Sequence, residues 1–331
     1  FKDSGLVTEV FDEEKLTFLE GTMAIGHNRY STAGSESVRD AQPVAASYKL
    51  GDISVAHNGN LINKHEVRTQ LIEQGAIFQS SMDTENIIHL IARSQKDNLQ
   101  DRIIEALHVI KGAYCLVIQS RSKMFAIRDR YGVRPLSIGK LSSGGYIVAS
   151  ETCALDLVDA TFVRDVRPGE MVIFETGKEG FTSVQLFEPD PHICAFEFIY
   201  FARPDSVIEG KNVYAIRKNM GMKLAEIDPI EADFVIPVPD SGVSAALGYA
   251  QKSGIPFEMA IVRNHYVGRT FIEPTQAVRD LKVKLKLSPI HKILEGKKIV
   301  VIDDSIVRGT TSRQIVKLLK RAGAAEVHMR I

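Results

Sequence analysis

One stretch near residue 300 constrains the fold more than any other. Residues 298–302 are a lysine followed by four β-branched residues, a pattern typical of a buried strand, and Asp303 and Asp304 follow directly. Gly309 and three hydroxyl residues then open a predicted helix. Backbone N–H groups at such a turn bind phosphate, whereas paired carboxylates suit ribose hydroxyls or Mg²⁺ carrying a pyrophosphate. The stretch therefore predicts a phosphate site, the alternative being an ordinary capped helix after a core strand.

From about residue 213 onward, helical and strand patterns alternate along the chain. The predicted helices are residues 213–227, 244–253 and 310–322, and the predicted strands are residues 233–237, 258–262 and 298–302. Such alternation is typical of βαβ units, so we expect a parallel sheet. Ligands bind at the carboxyl ends of the strands in open sheets of this kind.

Two further segments of this second half are candidates for binding an anion. Ser241 and Gly242 follow another predicted strand and begin the next helix. Alone this is ordinary turn chemistry, but beside the first loop it predicts a second anion-binding turn. Residues 262–274 are rich in Arg, Tyr and Gly and are interpreted as a mobile lid, the alternative being a solvated loop.

The first half of the chain is rich in short β-branched segments bounded by Gly, Asp or Ser, which predict strands. Two helical patterns interrupt them, at about residues 63–74 and 84–93. This predicts a layered α+β domain. Two prolines within residues 187–192 predict a boundary, giving domains 1–190 and 191–331.

Four residues of the first half form a pattern suited to binding a free amino acid. Arg29 is suited to grip an α-carboxylate with two parallel hydrogen bonds. Asn58 and Gly59, which we expect just as the chain leaves a strand, offer an amide and a backbone N–H for an oxyanion hole. Asp83 precedes a predicted helix and suits an α-ammonium group. Each has an ordinary alternative, a hairpin turn for Asn58-Gly59 and a helix cap for Asp83.

Composition excludes several classes of function. The 41 basic and 41 acidic residues leave no net charge to attract nucleic acid or an anionic membrane. The sequence shows neither a membrane-spanning run nor a signal-peptide pattern. Its three cysteines are far apart without a CxxC pair, which favours a reducing, cytoplasmic setting.

Taken together, these motifs resemble one family. The stretch at residues 298–312 resembles the phosphoribosylpyrophosphate (PRPP) signature of type I phosphoribosyltransferases. The set formed by Arg29, Asn58, Gly59 and Asp83 resembles the class II glutaminase domain, which has the N-terminal-nucleophile hydrolase fold. Both halves in this order resemble the amidophosphoribosyltransferases of purine synthesis, and residues 129–136, 149–153, 166–170 and 200–206 resemble further segments of that family.

The resemblance implies a reaction and its site residues. Glutamine is hydrolysed to glutamate, and the ammonia passes through an internal channel and displaces pyrophosphate from PRPP, giving 5-phosphoribosylamine in the first step of purine synthesis. By resemblance, Arg29 and Asp83 bind glutamine, and Asn58 and Gly59 stabilise the oxyanion. Ser241, Asp303 and Asp304 match the positions for Mg²⁺ and pyrophosphate. The residues matching the PRPP loop are Asp303, Asp304, Ser305, Ile306, Val307, Arg308, Gly309, Thr310, Thr311 and Ser312. Those matching the lid and the channel are Tyr30, Arg263, Tyr266, Arg269 and Ile272.

The resemblance also implies partners and leaves some questions open. Members of the family bind inhibitory purine nucleotides and form homo-oligomers, so we expect a dimer or tetramer. Some members carry a [4Fe–4S] cluster, and Cys194 matches one of its ligands; a structural cysteine is the alternative. His265 stands where the family usually has Arg, which weakens the charge of the lid.

The family's nucleophile, a cysteine at the mature N-terminus, has no counterpart at Phe1. We therefore expect a preceding segment and a continuation beyond Ile331, and no glutaminase activity from the chain as printed. A second hypothesis is a PRPP- or nucleotide-sensing regulator that has lost catalysis. A sugar-phosphate amidotransferase would share the first half but lack the PRPP loop.

Overall fold

The computed structural model describes residues 1–29, 38–264, 286–307 and 309–331. Its contacts divide the chain into two compact units, Phe1–Cys194 and Ala195–Ile331, whereas the proline pattern predicted a boundary at residues 190 and 191. Residues 190–194 pack with the first unit because their backbone N–H groups bond to carbonyls of residues 130–133. Among the described residues, no helix has both the length and the apolar character needed to cross a bilayer.

The first unit contains six short to medium helices and nine strands among its described residues. The helices are α1 (Val7–Val10), α2 (Glu13–Thr17), α3 (Lys64–Glu73), α4 (Thr84–Arg93), α5 (Leu99–Val109) and α6 (Cys153–Asp156), and a 3₁₀ turn spans Val38–Asp40. The strands are β1 (Val44–Tyr48), β2 (Gly51–Leu61), β3 (Gly112–Ser120), β4 (Lys123–Arg128), β5 (Ser137–Lys140), β6 (Tyr146–Ala149), β7 (Thr161–Asp165), β8 (Glu170–Glu175) and β9 (Thr182–Gln185).

An antiparallel six-stranded sheet in the order β1-β2-β3-β4-β8-β9 forms the centre of this unit, with a separate sheet β6-β5-β7. Strand β4 shows why the sheet is buried on both faces. Phe125 and Ile127 pack in one core with residues of α4 and α5, while Met124 and Ala126 pack in a second core that includes Ile138 of β5. Because both faces are covered, the four central residues of the strand, Met124 to Ile127, are all apolar instead of alternating with polar residues. The layers are therefore helix, sheet, sheet.

The second unit contains a parallel sheet. A π-helix at Glu197–Phe201 is followed by β10 (Val207–Ile208), β11 (Lys211–Asn212), α7 (Val213–Ile227), β12 (Phe234–Pro237), α8 (Val243–Ser253), β13 (Ile261–Arg263), β14 (Leu287–Pro289), α9 (His291–Leu294), β15 (Lys298–Ile302), α10 (Thr310–Arg321) and β16 (Glu326–Arg330). The parallel strand order is β12-β15-β16. Along β15, Val300 and Ile302 face the core shared with α8, whereas Ile299 and Val301 face the core shared with α10.

Helices α7 and α8 approach each other closely because glycine lies at their contact. A Cβ added at Gly221 would lie 1.8 Å from the carbonyl oxygen of Ala245, and one at Gly248 would lie 1.9 Å from that of Lys218. No side chain fits at either distance, so the pair of glycines sets the helix spacing. Helices α7 and α8 together cover one face of the parallel sheet.

The local structure differs from the sequence-based prediction in three places. Helix α5 was not predicted, although Leu99, Ile103 and Ala106 have helical spacing and Asn98 caps it by accepting from the N–H of Asp101 at 2.9 Å. The strand predicted at residues 258–262 is confined to Ile261–Arg263, because residues 257 and 258 pair only locally with Val235. Asn58 and Gly59 do not leave β2 but lie within it.

Candidate active sites in the two units

Asp83 is anchored at the start of α4, as its position before a helical pattern predicted. It is the N-cap residue, and its Oδ2 accepts a hydrogen bond from the backbone N–H of Leu61 at 2.9 Å. Its Oδ1 lies 3.5 Å from Nδ1 of the buried His57. Burial alone would raise the pKa of Asp83, but the hydrogen bonds from His57 and Leu61 lower it below its usual value. Asp83 is therefore held as a carboxylate, with lone pairs left to accept from a cationic ligand.

The segment leading into Asp83 is fixed by hydrogen bonds to two side chains, those of Glu85 and Arg68. Glu85, which is 6% exposed, accepts from the backbone N–H groups of Gln79 and Ser80 at 2.7 and 2.8 Å. Arg68 donates to the carbonyl oxygen of Ser80 at 2.6 Å. Since each of these bonds is made to the backbone of Gln79 or Ser80, they fix the path of the chain just before Asp83 and α4.

Arg29 is connected to the same segment by hydrogen bonds that pass through one residue, Asp40. Its guanidinium donates to the carbonyl oxygen of Asp40 at 3.1 Å. The carboxylate of Asp40 accepts from both the N–H and the hydroxyl of Ser81, at 2.9 and 2.8 Å. Ser81 precedes Asp83 by two positions, so the structure brings the predicted carboxylate- and ammonium-binding residues into one connected group.

Asn58 and Gly59 lie where β2 pairs with β3, opposite Cys115 and Tyr114. A Cβ at Gly59 would lie 2.1 Å from the carbonyl oxygen of Ala113 and 2.8 Å from Nε2 of His57. Only glycine allows both neighbours, and the strand continues past Gly59 because its pairing with β3 extends to Leu61. The oxyanion role of this pair stays a prediction.

His57 was not singled out by the sequence, yet it connects the parts of this site. Its backbone is clamped by the side-chain amide of Gln42, which accepts from the N–H at 2.7 Å and donates to the carbonyl oxygen at 3.2 Å. Within the described residues, its buried Nε2 has no hydrogen-bond partner. Nearby His27 has its pKa lowered to about 4 by burial and by the neighbouring His57 and Arg29. His27 is therefore neutral at pH 7.

The second site lies at the carboxyl end of β15. Oδ1 of Asp303 accepts from the N–H of Asp304 at 2.9 Å, and Asp304 in turn accepts from the hydroxyl of Ser305. Burial and the adjacent carboxylate of Asp304 raise the pKa of Asp303 to about 6. Burial disfavours the ionised form of Asp303, and the adjacent Asp304 adds a second acidic group, so a cation bound between the two carboxylates would stabilise them.

The loop after these acids opens a helix, as predicted. Gly309 precedes α10 with φ of 70°, a left-handed conformation that glycine adopts readily. Ile306 and Val307 are 52% and 85% exposed, so this part of the loop is accessible to a ligand. Arg308 lies outside the described residues.

The turn containing Ser241 adjoins the same sheet edge. The N–H of Val238 donates to the carbonyl oxygen of Ile302 at 2.8 Å, and a Cβ at Gly242 would lie 2.3 Å from that oxygen. Ser241 and the acids after β15 are thus on adjoining strand ends, as the parallel order requires. Arg263, predicted for the lid, forms an ion pair with Asp240 in this turn.

Several predicted site residues lie outside the part of the chain that the structure describes. Tyr30, His265, Tyr266, Arg269 and Ile272 lie outside the described residues, together with most of the predicted lid. The described part of the chain has no group of three or more His, Cys, Asp or Glu residues able to hold a metal ion. Cys194 is half-buried, and Cys115 and Cys153 are buried elsewhere, so the described residues do not form a site for a cluster that needs four thiolates.

Comparison with known families assigns both units. Residues 27–157 match the model of a glutamine amidotransferase domain, and residues 209–330 match that of a phosphoribosyl transferase domain. The fold and the two sites therefore define a glutamine amidotransferase domain followed by a phosphoribosyltransferase domain. The second match also separates the chain from sugar-phosphate amidotransferases, which we expected to lack the PRPP loop.

Individual relatives narrow the assignment. The chain is 54% identical over 328 residues to amidophosphoribosyltransferase 1, chloroplastic, of Arabidopsis thaliana, covering 99% of this chain and 58% of that protein. It is 49% identical over 332 residues to the amidophosphoribosyltransferase of Bacillus subtilis, covering 69% of that protein. The chain belongs to the amidophosphoribosyltransferase family. It spans somewhat over half the length of the plant relatives.

Solved structures agree with this assignment. The B. subtilis glutamine PRPP amidotransferase complexed with ADP and GMP superposes with a TM-score of 0.90 at 48% identity, covering 98% of this chain and 70% of that one. A structure described as the allosteric regulatory enzyme of purine biosynthesis superposes with a TM-score of 0.91 at 49% identity.

Proposed function

We propose that the protein uses glutamine and PRPP to form 5-phosphoribosylamine, pyrophosphate and glutamate. The observation that carries the proposal is the presence of both sites in one chain: the connected group of Arg29 and Asp83 in the first unit, and Asp303 with Asp304 at the end of β15 in the second. A protein that only senses PRPP has no need of the first group. No observation favours that alternative.

The first unit's residues suit glutamine hydrolysis. Arg29 pairs with the α-carboxylate and Asp83 accepts from the α-ammonium group, which selects a free amino acid. Asn58 and the backbone N–H of Gly59 stabilise the negative charge that develops on the amide oxygen during attack. The thiols of Cys115 and Cys153 are buried and donate to oxygen atoms of the chain, so neither is proposed as the nucleophile.

The second unit's residues suit transfer of the ammonia to PRPP. The loop from Ser305 to Ser312 binds the 5-phosphate through its N–H groups and hydroxyls. Ser241 lies in the turn proposed to bind pyrophosphate, and Asp303 and Asp304 orient the ribose hydroxyls. The crowded carboxylates also fit Mg²⁺, which binds through one or two carboxylates and substrate oxygens. When bound, Mg²⁺ would neutralise charge on the departing pyrophosphate.

Other parts of the proposal rest on the relatives or on composition. Because the B. subtilis relative was solved with ADP and GMP, we include purine nucleotides among the proposed ligands. The three free thiols fit a reducing compartment such as the cytoplasm. A homo-oligomer stays a prediction.

The proposal is tested by measuring pyrophosphate release from the intact gene product with PRPP, Mg²⁺ and glutamine. We expect release to require all three, and the D303A/D304A double variant to lose it. The matched control is E13A/E14A, which removes two adjacent exposed carboxylates from α2. Unchanged release in the D303A/D304A variant would show that the assignment is wrong.

A further inference from the structure

We infer that Asp40 is a positioning residue that sets the spacing between the two charged groups of the amino-acid site. The inference rests on the proposed binding of glutamine by Arg29 and Asp83. Asp40 is 2% exposed and contacts both sides of that site. Neither its sequence position nor its residue type marked it in advance.

The two charged groups come from separate parts of the chain. Arg29 lies in a segment without regular secondary structure, whereas Asp83 is the N-cap of α4. The sequence between them includes strands β1 and β2 and helix α3. Their separation is therefore a tertiary property that needs a tertiary contact to fix it.

Asp40 supplies such a contact with two different groups. Its backbone carbonyl accepts from Nη1 of Arg29 at 3.1 Å. Its side-chain oxygens accept from the N–H and the hydroxyl of Ser81 at 2.9 and 2.8 Å. The two bonds to Ser81 restrain both rotation and translation of that residue, and Asp83 follows two positions later.

The chemistry of the ligand explains why this spacing matters. The ammonium and carboxylate of an α-amino acid are attached to one carbon atom, so their separation is fixed. Binding groups displaced by a fraction of an ångström lose one of the two contacts. Loosening the link between Asp40 and Ser81 should therefore weaken recognition of the amino acid while leaving a reaction that uses free ammonia unaffected.

The test compares S81A, D40A and the D40A/S81A double variant in the intact gene product. Glutamine-dependent and ammonia-dependent pyrophosphate release are measured at saturating PRPP. We expect the KM for glutamine to rise about fivefold in S81A, which loses one hydrogen bond, and about tenfold or more in D40A. The ammonia-dependent rate should stay within about twofold of the unaltered protein.

Non-additivity separates positioning from general loosening. Because both substitutions break the same link, S81A should add no further rise in KM once D40A is present. The matched control is S47A, which removes a serine hydroxyl bonded to Asp52 on the exposed surface of the same unit, and it should leave the KM unchanged. Parallel loss of both activities in S81A would mean a structural role and overturn the inference.

The result also separates this inference from the function on which it rests. If the unaltered protein shows no glutamine-dependent activity, the proposed function is wrong and the inference with it. If the unaltered protein uses glutamine and both S81A and D40A retain its KM, only the inference is wrong.

Discussion

Substitution of Asp303 by Asn should make the protein more stable while removing its affinity for PRPP. Burial and the adjacent Asp304 raise the pKa of Asp303 from 3.8 to about 6. A carboxyl group with a raised folded-state pKa costs stability when it is ionised, because the unfolded chain ionises it freely. Two units of pKa correspond to at most about 3 kcal/mol, and partial solvent access reduces this.

The stability gained by the D303N variant depends on pH. Well below pH 4 the Asp303 carboxyl group is protonated in both states, so the D303N variant and the unaltered protein should have similar stabilities. The advantage of the variant grows as the pH rises from about 4 to about 6 and is complete above that. Calorimetry in a chelator, without PRPP, should therefore show a melting temperature several degrees higher for D303N at pH 7.5.

A second aspartate provides the control, since its pKa is shifted in the opposite direction. The backbone hydrogen bond from Lys298 and the nearby Lys297 lower the pKa of Asp233, so D233N should lower the melting temperature at pH 7.5. A D303N variant that is less stable than the unaltered protein, or whose advantage does not change with pH, would refute the electrostatic reasoning.

Three other outcomes follow from the geometry. Burial lowers the pKa of His27 to about 4, so the protein takes up a proton at this residue when it unfolds between pH 4 and 6.5. The H27Q variant should therefore remove up to about 1.4 kcal/mol per pH unit from the slope of unfolding free energy against pH. An unchanged slope would contradict the lowered pKa of His27. The G59A variant should lose at least about tenfold in glutamine-dependent activity but keep ammonia-dependent activity, since its Cβ would meet backbone at 2.1 Å. The G242A variant should weaken PRPP binding in calorimetric titration, since its Cβ would meet the end of β15 at 2.3 Å. The control for both glycine variants is G145A, which lies in a hairpin with space for a methyl group. If G59A or G242A behaved like G145A, the role proposed for that glycine would be wrong.

Features predicted correctly from the sequence were mainly local along the chain. The strand, the acids and the helix start at residues 298–310 lie within a few positions of one another, so β15 and α10 follow from pattern and capping alone. Asp83 before α4 was predictable for the same reason. The parallel order of β12 and β15 followed from the alternation of helices and strands.

Features that depend on tertiary contacts were not predictable. Asp40 and Ser81 are 41 positions apart, and no local pattern marks either of them. Asn58 and Gly59 fit a turn by residue type, but pairing with β3 keeps them in a strand. Arg263 was predicted for the lid, and its contact with Asp240 depends on how β13 packs beside the turn after β12.

If the proposed function is right, the amide nitrogen of glutamine is transferred to PRPP within one protein. The most direct test of this transfer supplies the intact gene product with PRPP, Mg²⁺ and glutamine labelled with ¹⁵N in the amide, and measures the trapped amine product by mass spectrometry. We expect label in the product and equal amounts of glutamate and pyrophosphate. Pyrophosphate release without label transfer, or glutamate release unaffected by PRPP and unaccompanied by amine, would contradict it.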